Sequence, residues 1–262
     1  MVIIVNVLIT GATSGIGFSL GKKLIEKGHF VYFCVHNNKE IKTVKEKLNN
    51  LDYKQTKVIK LDITRKEDID LIKNIDIDCL VNQAGIGVGG SIINLSIEDI
   101  RKNFDVNYFG TLSLIKTYIK TRINKKGKIL ITSSVAGLIP IPFLGAYCST
   151  KSSLIMMSKC LKKELKETNL DIKIKLIEPG AYKTGFNQIM IDNKETLNNE
   201  VFNDMKKIIS KQEKMFNFIE KKDLSSIVKA MVKAVESDSN KLIYRKPFIQ
   251  ALGAKIYMLL FM

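Results

Sequence analysis

Tyr147 and Lys151 stand four residues apart in a stretch with helical spacing, so they share one face of a helix. That pairing suits proton transfer. An ammonium group near a phenol favours the phenolate and draws its pKa down from about 10, toward the range where a general acid or base works. Ser134 follows a strand-like run, 128–132, and its hydroxyl can bond a substrate oxygen. Asn107 lies within a long helical stretch, and its side-chain amide can hold a water that links the lysine to solvent. Spacing alone discriminates poorly, because Tyr53 and Lys57 repeat it. That second pair falls at a loop-to-strand entry, where i and i+4 need not meet, and no serine-ended strand precedes it.

A second chemical feature stands near the start. An apolar run, 2–9, leads into Thr10-Gly11-Ala12-Thr13-Ser14-Gly15-Ile16-Gly17 and then a helix. Gly11 permits the tight turn, Gly15 lets a pyrophosphate approach the backbone, and Gly17 lets the helix pack against the sheet. The helix N-terminus offers free N–H groups and a positive dipole end to phosphates. Strand, glycine loop and helix together read as a dinucleotide site. No Gly-Lys-Ser or Gly-Lys-Thr occurs, so a Walker-type nucleotide site is unsupported.

An acid at the end of the second strand would hold a ribose 2′-hydroxyl and repel a 2′-phosphate. The sequence there reads Cys34-Val35-His36-Asn37-Asn38-Lys39. With no acid in place, and with Ser14, His36 and Lys39 available to a phosphate, the expected cofactor is NADP, with NAD as the alternative.

Alternating elements must position these groups. Strands are expected at 2–9, 30–35, 57–61, 78–81, 128–132 and 172–177, and helices at 16–27, 38–50, 65–73, 97–122 and 146–168. This order implies an α/β fold: a Rossmann-type, doubly wound, mostly parallel sheet of seven strands with helices on both faces. No linker or internal repeat interrupts it, so residues 1–262 read as one domain. Residues 186–222 break the alternation with helical spacing and no strand, at the carboxyl edge where ligands sit, and read as a substrate lid. Residues 86–91, 135–143 and the lid are expected to line the substrate pocket. The run from Gly137 to Phe143 gives it an apolar wall. The apolar end, 247–262, is expected to pack on the domain or on a sister subunit rather than on a membrane.

Composition is that of an ordinary globular chain, 45% hydrophobic and 26% charged. The net charge of +16 is spread along the sequence, which reads as a solvated basic surface and not as a nucleic-acid site. Cys34, Cys79, Cys148 and Cys160 form no CxxC pair and read as free thiols in a reducing, cytoplasmic compartment. No signal peptide or membrane-spanning stretch is expected. With only His29 and His36, and no GxSxG elbow, neither a serine hydrolase nor a Cys/His metal site is supported.

Taken together, these motifs resemble the short-chain dehydrogenase/reductase family over about residues 2–185. The resemblance rests on Thr10 to Gly17, Asp62-Ile63, Asn82-Gln83-Ala84-Gly85, Asn107, Ser133-Ser134, Tyr147-Cys148-Ser149-Thr150-Lys151, and Pro179-Gly180 with Thr184. It implies that Tyr147 is the acid/base and that Lys151 lowers its pKa and binds the nicotinamide ribose. Ser134 would orient the substrate and Asn107 complete a proton relay. It further implies cofactor contacts at Gly11, Thr13, Ser14, Gly15, Ile16, Gly17, His36, Asp62, Ile63, Asn82, Ala84, Gly85, Pro179, Gly180 and Thr184. Gln83 departs from the second asparagine usual in the family. Glu178-Pro179-Gly180 resembles members acting on lipophilic alcohols such as retinol or hydroxysteroids. The implied activity is interconversion of a fairly hydrophobic secondary alcohol and its ketone, in a homodimer or homotetramer. The competing reading is a dinucleotide-binding redox sensor without turnover.

Overall fold

A computed structural model describes residues 4–48, 55–192 and 205–261. Its elements run β1 (Asn6–Thr10), α1 (Gly15–Ile25), β2 (Phe30–Val35), α2 (Asn38–Lys47), β3 (Thr56–Lys60), α3 (Lys66–Asp70) and β4 (Cys79–Asn82). Then come α4 (Ile97–Phe104), α5 (Thr111–Lys120), β5 (Gly127–Thr132), α6 (Gly145–Glu164), β6 (Ile172–Pro179), α7 (Phe186–Asp192), α8 (Met205–Ile219), α9 (Ser225–Glu236), β7 (Ile243–Lys246) and α10 (Phe248–Phe261).

The seven strands form one sheet in the order β3-β2-β1-β4-β5-β6-β7. Every pairing is parallel, so the fold is Rossmann-type and doubly wound as expected, and wholly rather than mostly parallel. Alternate residues of each strand feed opposite cores. Val7, Ile9, Val31, Phe33, Val81 and Leu130 pack toward α1 and α9. Leu8, Cys34, Leu80, Ile129, Ile131 and Ile174 pack toward α5 and α6. Chain direction across the sheet reverses between β1 and β4, and a crevice opens there at the carboxyl ends of the strands.

Most expected elements fall within a few residues of the observed ones. The single helix expected over 97–122 does not form. It is split into α4 and α5 by a π-helical turn, Asp105–Gly110. The wide turn places Asn107 in the interior, and it is accommodated because Gly110 sits tight against the Ile63 carbonyl, where a Cβ would come within 2.8 Å. Arg122 follows α5 and is buried against Asp76 and Asp78, at 2.9 Å from each carboxylate. The stretch expected to be a lid contains α7 and α8, and its residues 193–204 lie outside the described residues. Tyr53, of the decoy pair, lies outside the described residues, whereas Lys57 lies in β3. Both α9 and β7 form from sequence that gave no assignment.

Candidate active site at the switch point

Thr10 closes β1 with its side chain bound on three sides. Its Oγ1 donates to the Val81 carbonyl at 3.4 Å and accepts from the Gln83 and Ala84 N–H groups, both at 3.0 Å. The ends of β1 and β4 are thereby joined at the crevice. Gly11, with φ +62°, turns the chain away so closely that a Cβ would lie 2.7 Å from the Ala84 Cα. Gly15, with φ +56°, would carry its Cβ 3.1 Å from the Thr184 side chain. Gly17 would place one 2.6 Å from the Gly11 carbonyl oxygen. A side chain at any of the three collides with a wall of the crevice.

The loop leads into α1 without a side-chain cap from Ser14 and without an acid in the first turn. Those N–H groups are therefore available to an anion. The cleft beside them encloses about 550 Å³. Gly11, Ser14, Gly15, Ile16, Gly17, Ala84, Gly85, Pro179, Gly180 and Thr184 line it, together with Ser134, Tyr147 and Lys151. These residues fit a dinucleotide: a collar with no Cβ, uncapped helix N–H groups, and hydroxyl and amine groups at the far end.

Tyr147 and Lys151 lie in the first half of α6, both buried. Lys151 Nζ stands 5.6 Å from the centre of the Tyr147 ring and donates to the Thr132 carbonyl at 3.1 Å. Ser133 fixes α6 at this height, its Oγ donating to the Lys151 carbonyl at 2.7 Å. Ser134 Oγ donates to the Pro179 carbonyl at 3.3 Å and accepts from the Ala136 N–H at 3.1 Å. Burial pushes the Tyr147 phenol above its ordinary pKa, and a hydrogen bond with Ser134 works against that rise. Burial also lowers the Lys151 amine, to about 8. Desolvation is the leading cause of both shifts.

Asn107 lies outside the cleft lining, beneath its floor. Its Oδ1 accepts from the Ile86 N–H at 2.8 Å, and its Nδ2 donates to the Ile86 carbonyl at 2.9 Å and to Thr150 Oγ1 at 3.0 Å. Both amide hydrogens are thus engaged, which leaves Oδ1 alone to take a water. A Cβ on Gly85 would fall 3.1 Å from Asn107 Oδ1 and 3.5 Å from Lys151 Nζ, so both groups converge on that glycine.

Several expected cofactor residues do not reach the cleft lining. Asn82 is buried, with Nδ2 on the Leu130 carbonyl at 3.4 Å and Oδ1 unpartnered. Asp62 Oδ1 accepts from the Thr64 backbone N–H and hydroxyl, and Oδ2 is 3.6 Å from His36 Nδ1. Ile63 is buried below them, while His36 is exposed at the rim. Thr13 Oγ1 donates to Glu40 Oε2 at 2.7 Å.

The substrate end is walled by Val135, Ala136, Ile139 and Ile141 of the expected 135–143 stretch, by Leu144 just beyond it, and by Phe186, Ile189 and Met190 of α7 with Phe216 and Ile219 of α8. Phe186 stands over Tyr147 at 5.6 Å between ring centres. Residues 86–91 do not line the cleft. Instead α7 lies over Gly87, where a Cβ would meet the Met190 side chain at 2.3 Å. Sequence reasoning missed Gln250, Gly253 and Ala254 of α10, which close the remaining side. Small residues in an otherwise bulky helix, 248–261, were the available signal.

The sequence profile of the short chain dehydrogenase family matches residues 5–195. The chain belongs to that family and has its Rossmann-type fold. It is 34% identical over 196 residues to the probable short-chain type dehydrogenase/reductase VdlC of Helicobacter pylori, covering 72% of this chain and 69% of that one. It is 32% identical over 192 residues to dehydrogenase/reductase SDR family member 7B of Xenopus laevis, covering 68% of this chain and 58% of that one. It is 32% identical over 189 residues to estradiol 17-beta-dehydrogenase 2 of Mus musculus, where the shares are 68% and 48%. The match thus spans about half the length of the frog and mouse relatives. Among solved structures, a Burkholderia phymatum short chain dehydrogenase/reductase in complex with NAD superposes with a TM-score of 0.81 at 18% identity, covering 96% of this chain and 92% of that one. A Burkholderia cenocepacia short chain dehydrogenase in complex with NADP gives 0.73 at 19% identity, covering 97% and 92%.

Proposed function

We propose that the protein interconverts a fairly hydrophobic secondary alcohol and its ketone, with Tyr147 moving the proton. One observation carries this reading. The hydroxyls of Ser134 and Tyr147 and the amine of Lys151 line the same cleft as the glycine loop, at its apolar end. When bound, a nicotinamide dinucleotide supplies the hydride acceptor or donor. Gly11 to Gly17, Gly85, Pro179, Gly180 and Thr184 would hold it, with Asp62 and Ile63 near the adenine and Asn82 supporting the floor.

Each protein group then has a separate task. Ser134 Oγ binds the substrate oxygen. Tyr147 gives that oxygen its proton in reduction and takes it in oxidation. Lys151 stabilises the phenolate as its own amine holds a proton, and Asn107 fixes the 85–87 segment against α6. Phe186, Ile139 and Ile141 exclude water, so a substrate with apolar flanks is favoured. The segment 186–222 acts as the lid of a single domain spanning 1–262.

The test is hydride transfer to a panel of ketones with NADH and with NADPH. Apolar ketones should be turned over, and Tyr147→Phe should lower kcat by about 10²- to 10⁴-fold while leaving dinucleotide binding intact. Near-normal turnover by Tyr147→Phe would remove Tyr147 from this role. Dinucleotide binding without turnover of any ketone or alcohol would favour a sensor.

NADP is the cofactor read from Ser14, His36 and Lys39. Another observation supports NAD as a second reading. Glu40 Oε2 accepts from Thr13 Oγ1 at 2.7 Å and from the His36 N–H at 3.0 Å, which brings a carboxylate to the rim between the glycine loop and the end of β2. A 2′-hydroxyl could donate to it, and a 2′-phosphate would be repelled. If Glu40 governs the choice, Glu40→Gln shifts the NADH-to-NADPH ratio of kcat/KM toward NADPH. An unchanged ratio removes it from that role.

The four cysteines form no disulfide, and Cys34 and Cys79 are buried, which supports a reducing, cytoplasmic setting. A homodimer or homotetramer is the assembly that the family resemblance implies, and sedimentation velocity reads it directly.

A further inference from the structure

α10 is apolar on both sides and covered on only one. Between Pro247 and Met262 its only charged residue is Lys255. Ala251 and Ala254 are buried against the protein. Gln250 anchors that side, accepting from the Ala181 N–H at 2.7 Å and donating to the Ile219 carbonyl at 2.7 Å. The opposite stripe carries Phe248, Ile249, Leu252, Ile256, Leu259 and Leu260, all exposed, with Ile249 at 78% and Leu259 at 85%. A surface helix in water places polar residues on that stripe. A contiguous apolar face of this kind marks a contact surface. Next to Ile219, Phe218 of α8 is 91% exposed and adds to the apolar surface near it.

Charge selects what the surface meets. Lys183, Lys221, Lys222 and Lys255 are exposed, and Lys246 is half-buried just before α10. Backbone bonds tie Lys183, Lys221 and Lys246 to the segment that holds Gln250. The Lys221 N–H donates to the Ala181 carbonyl at 3.1 Å, the Lys183 N–H donates to the Lys221 carbonyl at 2.9 Å, and the Gly180 N–H donates to the Lys246 carbonyl at 2.8 Å. None of the five lysines forms an ion pair among the described residues. Two acids lie beside them, Glu220 bonded to Asn187 and Asp223 bonded to Ser225 and close enough to feel the charge of Lys221, so the lysines remain in excess. No described helix is long and apolar enough to cross a membrane.

We propose that α10 docks the protein flat on an anionic lipid bilayer, its apolar stripe below the headgroups and the lysine rim among them. This departs from the sequence expectation that the segment packs only on protein. A second copy is the less suitable occupant of this face, because pairing α10 with itself brings two like-charged lysine rims together. An anionic surface complements both the apolar stripe and the rim. The inner side of the same helix, at Gln250, Gly253 and Ala254, lines the cleft. Docking therefore sets one wall of the site against the lipid phase, whichever apolar compound is turned over.

Flotation of the full chain with phosphatidylcholine vesicles, with and without phosphatidylglycerol, tests this. The chain should float with the anionic vesicles, remain behind with the neutral ones, and be released by high salt. Leu259→Ser with Leu260→Ser, on the exposed stripe and away from the cleft, should cut partitioning about tenfold or more with unchanged Tm and NADH binding. Lys221→Glu with Lys222→Glu and Lys255→Glu should abolish the preference for anionic vesicles. Absence of wild-type flotation overturns the proposal. So does a leucine variant that still floats but drops to a smaller assembly in sedimentation, which would make a second copy the occupant.

Discussion

Lys151 is the residue whose surroundings have the most readable consequence. It is buried, its pKa is lowered to about 8, and an unfolded lysine titrates at 10.5. Below about 8 both states carry the proton, and folding bears the full cost of desolvating the ammonium. Above 10.5 neither state does. Between these limits the unfolded chain binds more protons, so stability rises with pH, by about 3 kcal/mol over the window. Lys151→Met keeps the stem without the charge. It should be more stable than wild type at about pH 7 and lose that advantage by about pH 10, as read by denaturant unfolding. An advantage that does not shrink with pH would mean the amine is not desolvated. Tyr147 makes the complementary point. Its phenol is raised by the same burial, so free-enzyme proton transfer at neutral pH starts from the neutral phenol. The residue types of this site were legible in sequence because helix spacing, a serine-ended strand and a glycine loop coincide. The electrostatics were not, because desolvation depends on Phe186, Ile141 and Leu144, which only the fold brings around the pair.

At the scale of elements, two contacts carry testable weight. Gly21 lets α1 lie on β2, and a Cβ there would come within 2.4 Å of the Phe33 ring. Gly21→Ala should cost about 1–3 kcal/mol and lower Tm, whereas an unchanged Tm would mean α1 shifts freely. The π turn between α4 and α5 presents Asn107 to the Ile86 backbone. Asn107→Ala leaves a buried N–H and carbonyl without partners, and should cost about 1–3 kcal/mol besides lowering turnover. Differential scanning calorimetry checks both. Strands β1, β2, β4 and β5 were readable because parallel strands buried on both faces are near-continuous apolar runs, and β3 and β6 because β-branched residues alternate with lysines in them. The π turn was not readable, since 97–122 keeps an ordinary helical rhythm and the insertion is fixed by long-range contacts at Ile63 and Ile86. The run Ile243–Lys246 is too short and too basic to announce β7. It becomes a strand by pairing with β6 from Leu176 to Pro179. Glu40 does not announce itself in sequence, because its carboxylate comes from the first turn of α2 and not from the end of β2.

At the scale of the whole molecule, the cleft is assembled from both halves of the sheet, so its ligand should report on global folding. A dinucleotide at a hundred times its Kd should stabilise the protein by about 2.7 kcal/mol, measurable as a rise in Tm. At one fixed concentration, NADH and NADPH should give unequal rises if Glu40 discriminates between them, because their Kd values then differ. The two lips of the cleft come from distant parts of the chain, Gly15 after β1 and Thr184 after β6, and they approach so closely that a Cβ on Gly15 would lie 3.1 Å from the Thr184 side chain. That contact makes the phosphate end preorganised. The incoming dinucleotide should then have little loop entropy to remove there, and a slow step on loading is expected at the opposite end, where α7 and α8 pack over Tyr147.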